Sequence, residues 1–382
     1  MEAFVCPRCG NREERYIGYQ KGKPYCRRCI TFQGVEVKPS DAKPKPAPLT
    51  LHYSLSKEQE RISTQLLSNF CHGIDTLVYA VCGAGKTEMV YGVLSYAVEH
   101  GLRAGFAIPR KDVVIELFWR LKDAFPKNHI VAVYGQHTAV LEGDIVILTT
   151  HQLYRYPQYF DLLVMDEIDA FPYQGNDTLI SLCQRAIRGH LIMMSATPSL
   201  ALQKQYQTEP KKALLELRTR FHGKPIPVPR IKLLPRLGQW IYAAFLLKRY
   251  QKEGKPCLLF VATKEQAESF YRFLSFWVKN GNYVHSARED REDIIRLFKQ
   301  QKYSYLVSTS VLERGVTVKK LQVILLSADE SSVYSSSALI QMAGRAGRKW
   351  DAPKGDVWFL AEEESGEMKH AVDEIRYCNT FL

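Results

Sequence analysis

Residues 76–91 limit what this chain can fold into more than any other stretch. Thr76 to Val81 is a short apolar run, Cys82-Gly83-Ala84-Gly85 is a loop of small residues, and Lys86-Thr87 opens a helical pattern. Strand, glycine loop and helix in that order make a phosphate cradle. Gly83, Ala84 and Gly85 let backbone amides turn inward, where a larger side chain would block the anion. The positive end of the following helix points at the same charge. Lys86 reaches the β- and γ-phosphates and Thr87 offers its hydroxyl to Mg²⁺. The first position of the pattern is Ala80 rather than Gly. The stretch predicts a parallel sheet that binds a nucleoside triphosphate, ATP in the commonest case.

At 382 residues the chain exceeds one comfortable core, which predicts two large domains and a smaller segment. A net charge of +12 suits a polyanionic partner. No apolar run is long enough to span a bilayer. Five of the nine cysteines are scattered singly, a distribution that speaks against a secreted disulfide scaffold and for a reducing cytosol.

The other four cysteines pair up. Cys6-Pro7-Arg8-Cys9 is followed, about sixteen residues on, by Cys26-Arg27-Arg28-Cys29. Two such knuckles supply four thiolates for tetrahedral Zn²⁺, and a segment this small folds only with its metal. Its arginines, lysines and tyrosines suit phosphates and base stacking, while a purely structural or protein-binding ribbon remains the alternative. The expected order is a zinc-ribbon-like module over 1–37 and a Pro/Lys-rich linker over 38–50. The recurring prolines predict an extended, semi-rigid spacer that holds the module apart from the body.

From there strand and helix patterns alternate, the mark of α/β domains with helices on both faces of a parallel sheet. Strands are expected at 103–108, 130–134, 145–149, 162–165 and 190–194, with a helix over 111–125. The strand at 162–165 runs into Asp166-Glu167-Ile168-Asp169. Ligands in such sheets lie at the carboxyl ends of the strands, which puts these acids beside the glycine loop. Asp166 then holds Mg²⁺ with Thr87, and Glu167 polarises the attacking water. The strand at 190–194 ends in Ser195-Ala196-Thr197-Pro198.

This order of motifs resembles superfamily 2 helicases and translocases, whose first RecA-like domain carries the glycine loop, the acid box and the Ser-Ala-Thr string in the same sequence. The resemblance implies further roles. Gln59, in Leu55-Ser56-Lys57-Glu58-Gln59, falls on the adenine; Pro109 and Arg110, with Thr149 and Thr150, fall on the nucleic-acid backbone. Ser195 and Thr197 couple the nucleotide to the strand-binding surface.

A Pro-rich basic stretch, 223–235, reads as the hinge between a first RecA-like domain over 51–222 and a second over 236–382. The second half has no glycine loop of its own. It carries Gln341-Met342-Ala343-Gly344-Arg345-Ala346-Gly347-Arg348, which matches the superfamily's Q-x-x-G-R-x-G-R motif. Arg345 and Arg348 present planar, permanently charged forks suited to a γ-phosphate. In the family they act as arginine fingers, with Gln341 beside them. Thr263, Lys264, Thr309 and Ser310 are candidate grips on nucleic acid.

The four-cysteine segment ahead of both domains, the Leu312-Glu313-Arg314-Gly315-Val316-Thr317 string and the Thr149-Thr150-His151-Gln152-Leu153 string together resemble the ComFA family of late-competence ATPases. That resemblance spans nearly the whole chain. It implies a DNA-stimulated ATPase that drives incoming single-stranded DNA through the uptake channel from the cytoplasmic face, beside other competence proteins, and leaves a homo-oligomer open. The rivals are a PriA-like helicase of replication restart or repair and an RNA helicase. PriA carries its cysteines inside the second helicase lobe, which this chain does not. Thr317 stands where many superfamily members have Asp, which puts the ribose contact in question.

Overall fold

In each half of the chain the alternating pattern resolves into one parallel sheet. The computed structural model describes residues 4–30, 32, 34–309 and 318–382. It divides into two units, Met1–Ala80 with Gly85–Leu217 and Arg218–Leu382 with the short loop segment Val81–Ala84.

The first unit begins with the cysteine segment. Strands β1 (Ile17–Gln20) and β2 (Lys23–Cys26) form an antiparallel hairpin. Its two-residue turn places both Lys21 and Gly22 at positive φ, the geometry whose twist matches paired strands. Residues 38–56 contain no helix or strand, as the prolines dictate, but they do not stand free. Lys45 pairs with Asp144 at 2.7 Å, Ser95 donates to the Ala47 carbonyl at 2.6 Å, and Asn128 donates to that of Pro46 at 3.1 Å. Ala47 is completely buried. The expected spacer is therefore a strap lying along the domain. Its prolines leave carbonyls unpaired, and the domain surface supplies their donors.

Helix α1 (Lys57–Cys71) starts at a capping box in which Ser56 and Gln59 satisfy each other's backbone amides. Ile62, Leu66 and Phe70 fall on one face and are buried. Then follow β3 (Asp75–Ala80), α2 (Lys86–Met89), α3 (Tyr91–Glu99), β4 (Ala104–Ile108), α4 (Lys111–Ala124), β5 (Ile130–Val133) and β6 (Ile145–Thr149). After a 3-10 turn, Thr150–Arg155, come β7 (Phe160–Met165), α5 (Asp177–Ala186), β8 (Ile187–Ser195), α6 (Leu200–Thr208) and β9 (Lys212–Leu217). The seven strands pair in the order β5-β6-β4-β7-β8-β3-β9, all parallel. β4 and β6 are buried along their whole length, which is why they read as unbroken apolar runs.

The second unit comprises β10 (Arg230–Leu233), α7 (Arg236–Lys252), β11 (Cys257–Phe260), α8 (Lys264–Trp277), β12 (Gly281–Val284), α9 (Arg291–Lys299) and β13 (Tyr305–Ser308). It ends with β14 (Gln322–Leu325), α10 (Ser336–Ala343), β15 (Val357–Ala361) and α11 (Gly366–Asn379). Its sheet order is β10-β15-β14-β11-β13-β12, again all parallel. A core built around Leu246, Leu259, Phe270, Val307 and Ile324 joins α7 and α8 to this sheet.

Both units have the RecA-like form that the motifs implied. The stretch expected as a hinge is different: 223–235 contributes β10, an edge strand paired only with β15. Pro229 and Pro235 flank that strand without entering it, so no ladder hydrogen bond is lost.

Candidate functional site

The carboxyl edge of the first sheet gathers the motifs. Read across the strands β6, β4, β7, β8 and β3, that edge carries Thr149-Thr150, Pro109-Arg110, Asp166-Glu167, Ser195-Ala196-Thr197 and the glycine loop. No two of these segments are close in sequence. The strand order brings them into one row.

At the loop, Gly83 and Gly85 take φ of +84° and +75°. The φ of Gly85 is one that side-chain-bearing residues rarely adopt, so this position favours glycine, and a Cβ there would also press on Nε2 of Gln59. Gln59 sits against the loop. Its amide oxygen accepts from the Ser56 amide at 2.9 Å, which spends that oxygen on the cap of α1. Lys86 Nζ lies 3.8 Å from Asp166 Oδ1, both side chains being largely buried. Glu167 follows in a left-handed conformation at φ +57°, and its amide donates to Asp166 Oδ1 at 2.8 Å. A non-glycine residue held there stores about 1–3 kcal/mol of backbone strain, a feature that concentrates at working sites. The chemistry fits ATP with Mg²⁺: Thr87 and Asp166 would hold the ion and Lys86 the phosphates.

Asp169 had been given no role. Ser195 Oγ and Thr197 Oγ1 donate to its two carboxylate oxygens at 2.9 Å and 2.8 Å, and the Thr197 amide donates to Ser195 Oγ at 2.9 Å. The acid box and the Ser-Ala-Thr string are thus one hydrogen-bonded unit. The last acid of the box, three residues past Asp166, was the available signal.

Glu88 was missed too. It follows Thr87 and is buried, yet keeps its charge company through Arg120 of α4 and the Tyr53 hydroxyl, the latter at 2.6 Å. Burial pulls the Arg120 guanidinium down, but Glu88 outweighs it and raises the group above its ordinary value. An acid immediately after a phosphate-loop threonine, within a stretch that is otherwise apolar, was its only trace in the sequence.

The expected nucleic-acid contacts fare unevenly. Thr150 is fully buried and Thr149 nearly so, so the Thr150 hydroxyl does not face a strand from the surface. What remains there is backbone. Pro109 is buried, and Arg110 pairs with Asp112 at 3.1 Å. Thr263 is exposed, and its hydroxyl accepts from the Gln266 amide at 3.2 Å as the ordinary cap of α8. Thr309 is buried; Ser310 and the string from Val311 to Thr317 lie outside the described residues.

In the second unit Gln341 and Arg345 are buried, and Arg348 Nε donates to the Gly344 carbonyl at 2.9 Å. Gly347 turns the backbone between the two arginines at φ +66°.

The four cysteine sulfurs lie within 4.8 Å of one another and are all buried, with Cys6–Cys29 at 3.8 Å and Cys9–Cys26 at 3.7 Å. Tetrahedral Zn²⁺ with sulfur at about 2.3 Å needs sulfurs roughly 3.8 Å apart, so the residues fit a Zn²⁺ ion. The module does not stand apart. Phe32 packs on Tyr154 and His151 at ring distances of 5.6 Å and 6.3 Å. Glu36 pairs with Arg8 at 3.1 Å and with Arg185 of α5 at 3.2 Å, and the Val37 amide donates to the Arg155 carbonyl at 2.6 Å. Apolar and charged groups at the module's rim form a docking face on the first helicase domain, where the linker had been expected to hold the module apart.

Residues 56–205 match the DEAD/DEAH box helicase model and residues 240–349 the helicase conserved C-terminal domain. Competence protein ComFA of Bacillus subtilis (strain 168) is 33% identical, over 98% of this chain and 86% of its own length. The Streptococcus pneumoniae competence protein ComFA is also 33% identical, over 98% and 90%. The chain belongs to the ComFA family. Among solved structures, S. cerevisiae Dbp5 bound to RNA and ADP BeF3 superposes with a TM-score of 0.67 at 16% identity, covering 86% of this chain and 93% of that one. At that identity the likeness shows the fold alone. The ComFA matches take in the cysteine module as well as both helicase domains, an arrangement the sequence had set against a PriA-like reading. The two domains are those of an ATP-hydrolysing superfamily 2 helicase, and they imply ATP, Mg²⁺ and a nucleic-acid partner. Among the described residues no helix is long and apolar enough to cross a membrane.

Proposed function

We propose that this member of the ComFA family is an ATP-driven translocase on single-stranded DNA that serves the uptake of transforming DNA. The observation that carries this reading is the row of motifs along the first sheet's carboxyl edge. The phosphate loop lies at one side, the segments after β6 and β4 lie at the other, and the linked acid box and Ser-Ala-Thr string stand between. Binding at one side and gripping at the other therefore share one rigid frame.

In this cycle ATP supplies the γ-phosphoryl group. Lys86 and the loop amides would bind it, Asp166 and Thr87 would hold Mg²⁺, which would neutralise the developing phosphate charge, and Glu167 would orient the attacking water. Arg345 and Arg348 are assigned to the γ-phosphate by the family's motif, with Gln341 assisting. Bound ATP then favours one arrangement of the two domains and hydrolysis weakens that preference. The grip on DNA, through 109–110, 149–150, 263 and 309–310, is to the backbone. It should be independent of sequence and sensitive to salt. The zinc module, other competence proteins and a channel partner would place the motor at the inner face of the membrane, and self-assembly is compatible with the reading.

ATP turnover measured with single-stranded DNA, single-stranded RNA and no nucleic acid is the test. The expected result is stimulation by DNA above that by RNA. Lys86→Ala should abolish turnover, and Glu167→Gln should bind ATP and stall. Greater stimulation by RNA would favour an RNA helicase. Normal transformation with impaired DNA repair in a strain lacking the protein would favour a PriA-like role.

A further inference from the structure

Arg220 is the most deeply buried guanidinium that the proposed cycle does not use. It is 2% exposed and meets no carboxylate among the described residues. Its partners are three backbone carbonyls of one turn. Nη1 donates to Ala346 and Gly347, each at 2.9 Å, and Nη2 donates to Gly344 at 3.1 Å. His222 adds a fourth bond to the same turn, its Nε2 lying 3.0 Å from the Gly347 carbonyl. The Lys224 amide donates to His222 Nδ1 at 3.1 Å, so the ring is neutral with its proton on Nε2. Burial, then the charges of Arg220 and Lys224, hold this imidazole below its ordinary value.

This turn carries both arginines of the Q-x-x-G-R-x-G-R motif. It leaves the carboxyl end of α10, where unpaired carbonyls and the negative end of the helix dipole favour a cation. The turn requires glycine at 347, since its φ is left-handed and a Cβ there would run into the Pro353 carbonyl oxygen. The Gly344 carbonyl accepts from Arg220 and also from Nε of Arg348 at 2.9 Å. Two guanidinium groups thus share one oxygen. Nε is the nitrogen that Arg348 spends there, which leaves the two ends of its fork for another acceptor. Burial, and then repulsion from Arg348, push Arg220 down to about 10, so it stays charged at neutral pH. Burying an unpaired charge is costly, and charge-assisted bonds to three convergent carbonyls are what offsets it.

We propose that Arg220, assisted by His222, is the positioning residue that fixes the Gly344–Gly347 turn and so aims Arg345 and Arg348. This rests on the reading that those two arginines meet the γ-phosphate. A fork misplaced by about 1 Å can cost on the order of a hundredfold in rate.

The experiment measures kcat and KM for ATP at saturating single-stranded DNA in Arg220→Met, His222→Ala, Arg348→Ala and the double variants. Arg220→Met should lower kcat about a hundredfold and His222→Ala about fivefold to tenfold, with KM within about twofold of wild type. Arg220→Lys should recover part of the loss, since an amine keeps the charge but not the fork. Adding Arg220→Met to Arg348→Ala should slow turnover by much less than Arg220→Met slows the wild type, because one of the two forks that Arg220 aims is already gone. Wild-type kcat in Arg220→Met, or losses that multiply in the double variant, would overturn the proposal. If Arg220→Met does not fold, the same cycle run with His222→Ala decides the matter on the same criterion. Undiminished turnover in Arg348→Ala alone would instead sink the assignment of the arginine fingers.

Discussion

Replacing Arg120 by Met tests whether the helix that opens at the phosphate loop is anchored from behind. Glu88 sits two residues after Lys86, its side chain only 8% exposed, and it meets Arg120 and the Tyr53 hydroxyl. Arg120 is itself 39% exposed at the side chain, so solvent screens part of the pair. A fully exposed pair contributes about 0–1 kcal/mol, whereas breaking a fully buried one costs about 3–5 kcal/mol. Glu88 would keep the Tyr53 bond after the change but lose its counter-charge, which places the cost at about 2–3 kcal/mol. Hydrogen exchange reads this locally. Protection of the amides in α2, α3 and α4 should fall roughly 30- to 150-fold, at about 1.4 kcal/mol per factor of ten. Amides of β11 and β14 in the second unit should not change. Adding Glu88→Gln to Arg120→Met should restore most of the protection, since no buried charge is then left alone. Unchanged protection in the single variant, or a double variant as weak as the single, would refute the reasoning.

Three further outcomes follow from the geometry. Chelation of zinc, or Cys29→Ala, should open residues 4–36 to limited proteolysis, because a metal held by the four buried cysteines would replace the core that so small a segment lacks; an unaltered digestion pattern would count against a structural metal. Burial pushes the Glu36 carboxyl up, but Arg185 and Arg8 outweigh that and hold it below its usual range of about 4.5. A depressed carboxylate contributes stability that is complete above pH ~4.5 and is lost as pH falls through the folded-state value. Glu36→Gln should therefore weaken module docking near neutrality and flatten its loss in acid, as read by proteolysis against pH. Asp169→Ala should leave ATP affinity near wild type and lower stimulation by nucleic acid, because it frees Ser195 and Thr197 from the acid box; retained stimulation would show that the two motifs act separately.

The two-domain α/β plan was legible because its signals are local. Apolar runs at 145–149 and 304–308 ended in motif residues, and the glycine loop announced itself between strand and helix. β10 was not legible: proline density around 225–235 reads as a break, and only its pairing with β15, more than a hundred residues on, makes it a strand. The strap at 38–50 failed for the same reason, since nothing in Lys-Pro-Lys-Pro says that Val98, Asp144 and Asn128 will meet it. At the site, residues that touch phosphate chemistry stood out by motif, while those that hold them did not. Asp169, Glu88 and Arg220 each act through a partner 26 to 126 residues away. Thr150 shows the opposite failure: its motif is present, but the 3-10 turn it begins draws the side chain inward.

The order of strands also sets a length scale. From β3 to β6 is four steps across the sheet, roughly 19 Å at about 4.8 Å per step. That is about twice the distance over which dissolved ions let one exposed charge sense another at physiological ionic strength. News of a phosphate arriving at Gly85 thus cannot reach Thr149 as a field through solvent. In the proposed cycle the route is displacement, handed sideways from one strand terminus to the next, with Asp169 and the two hydroxyls it holds in the middle of the row.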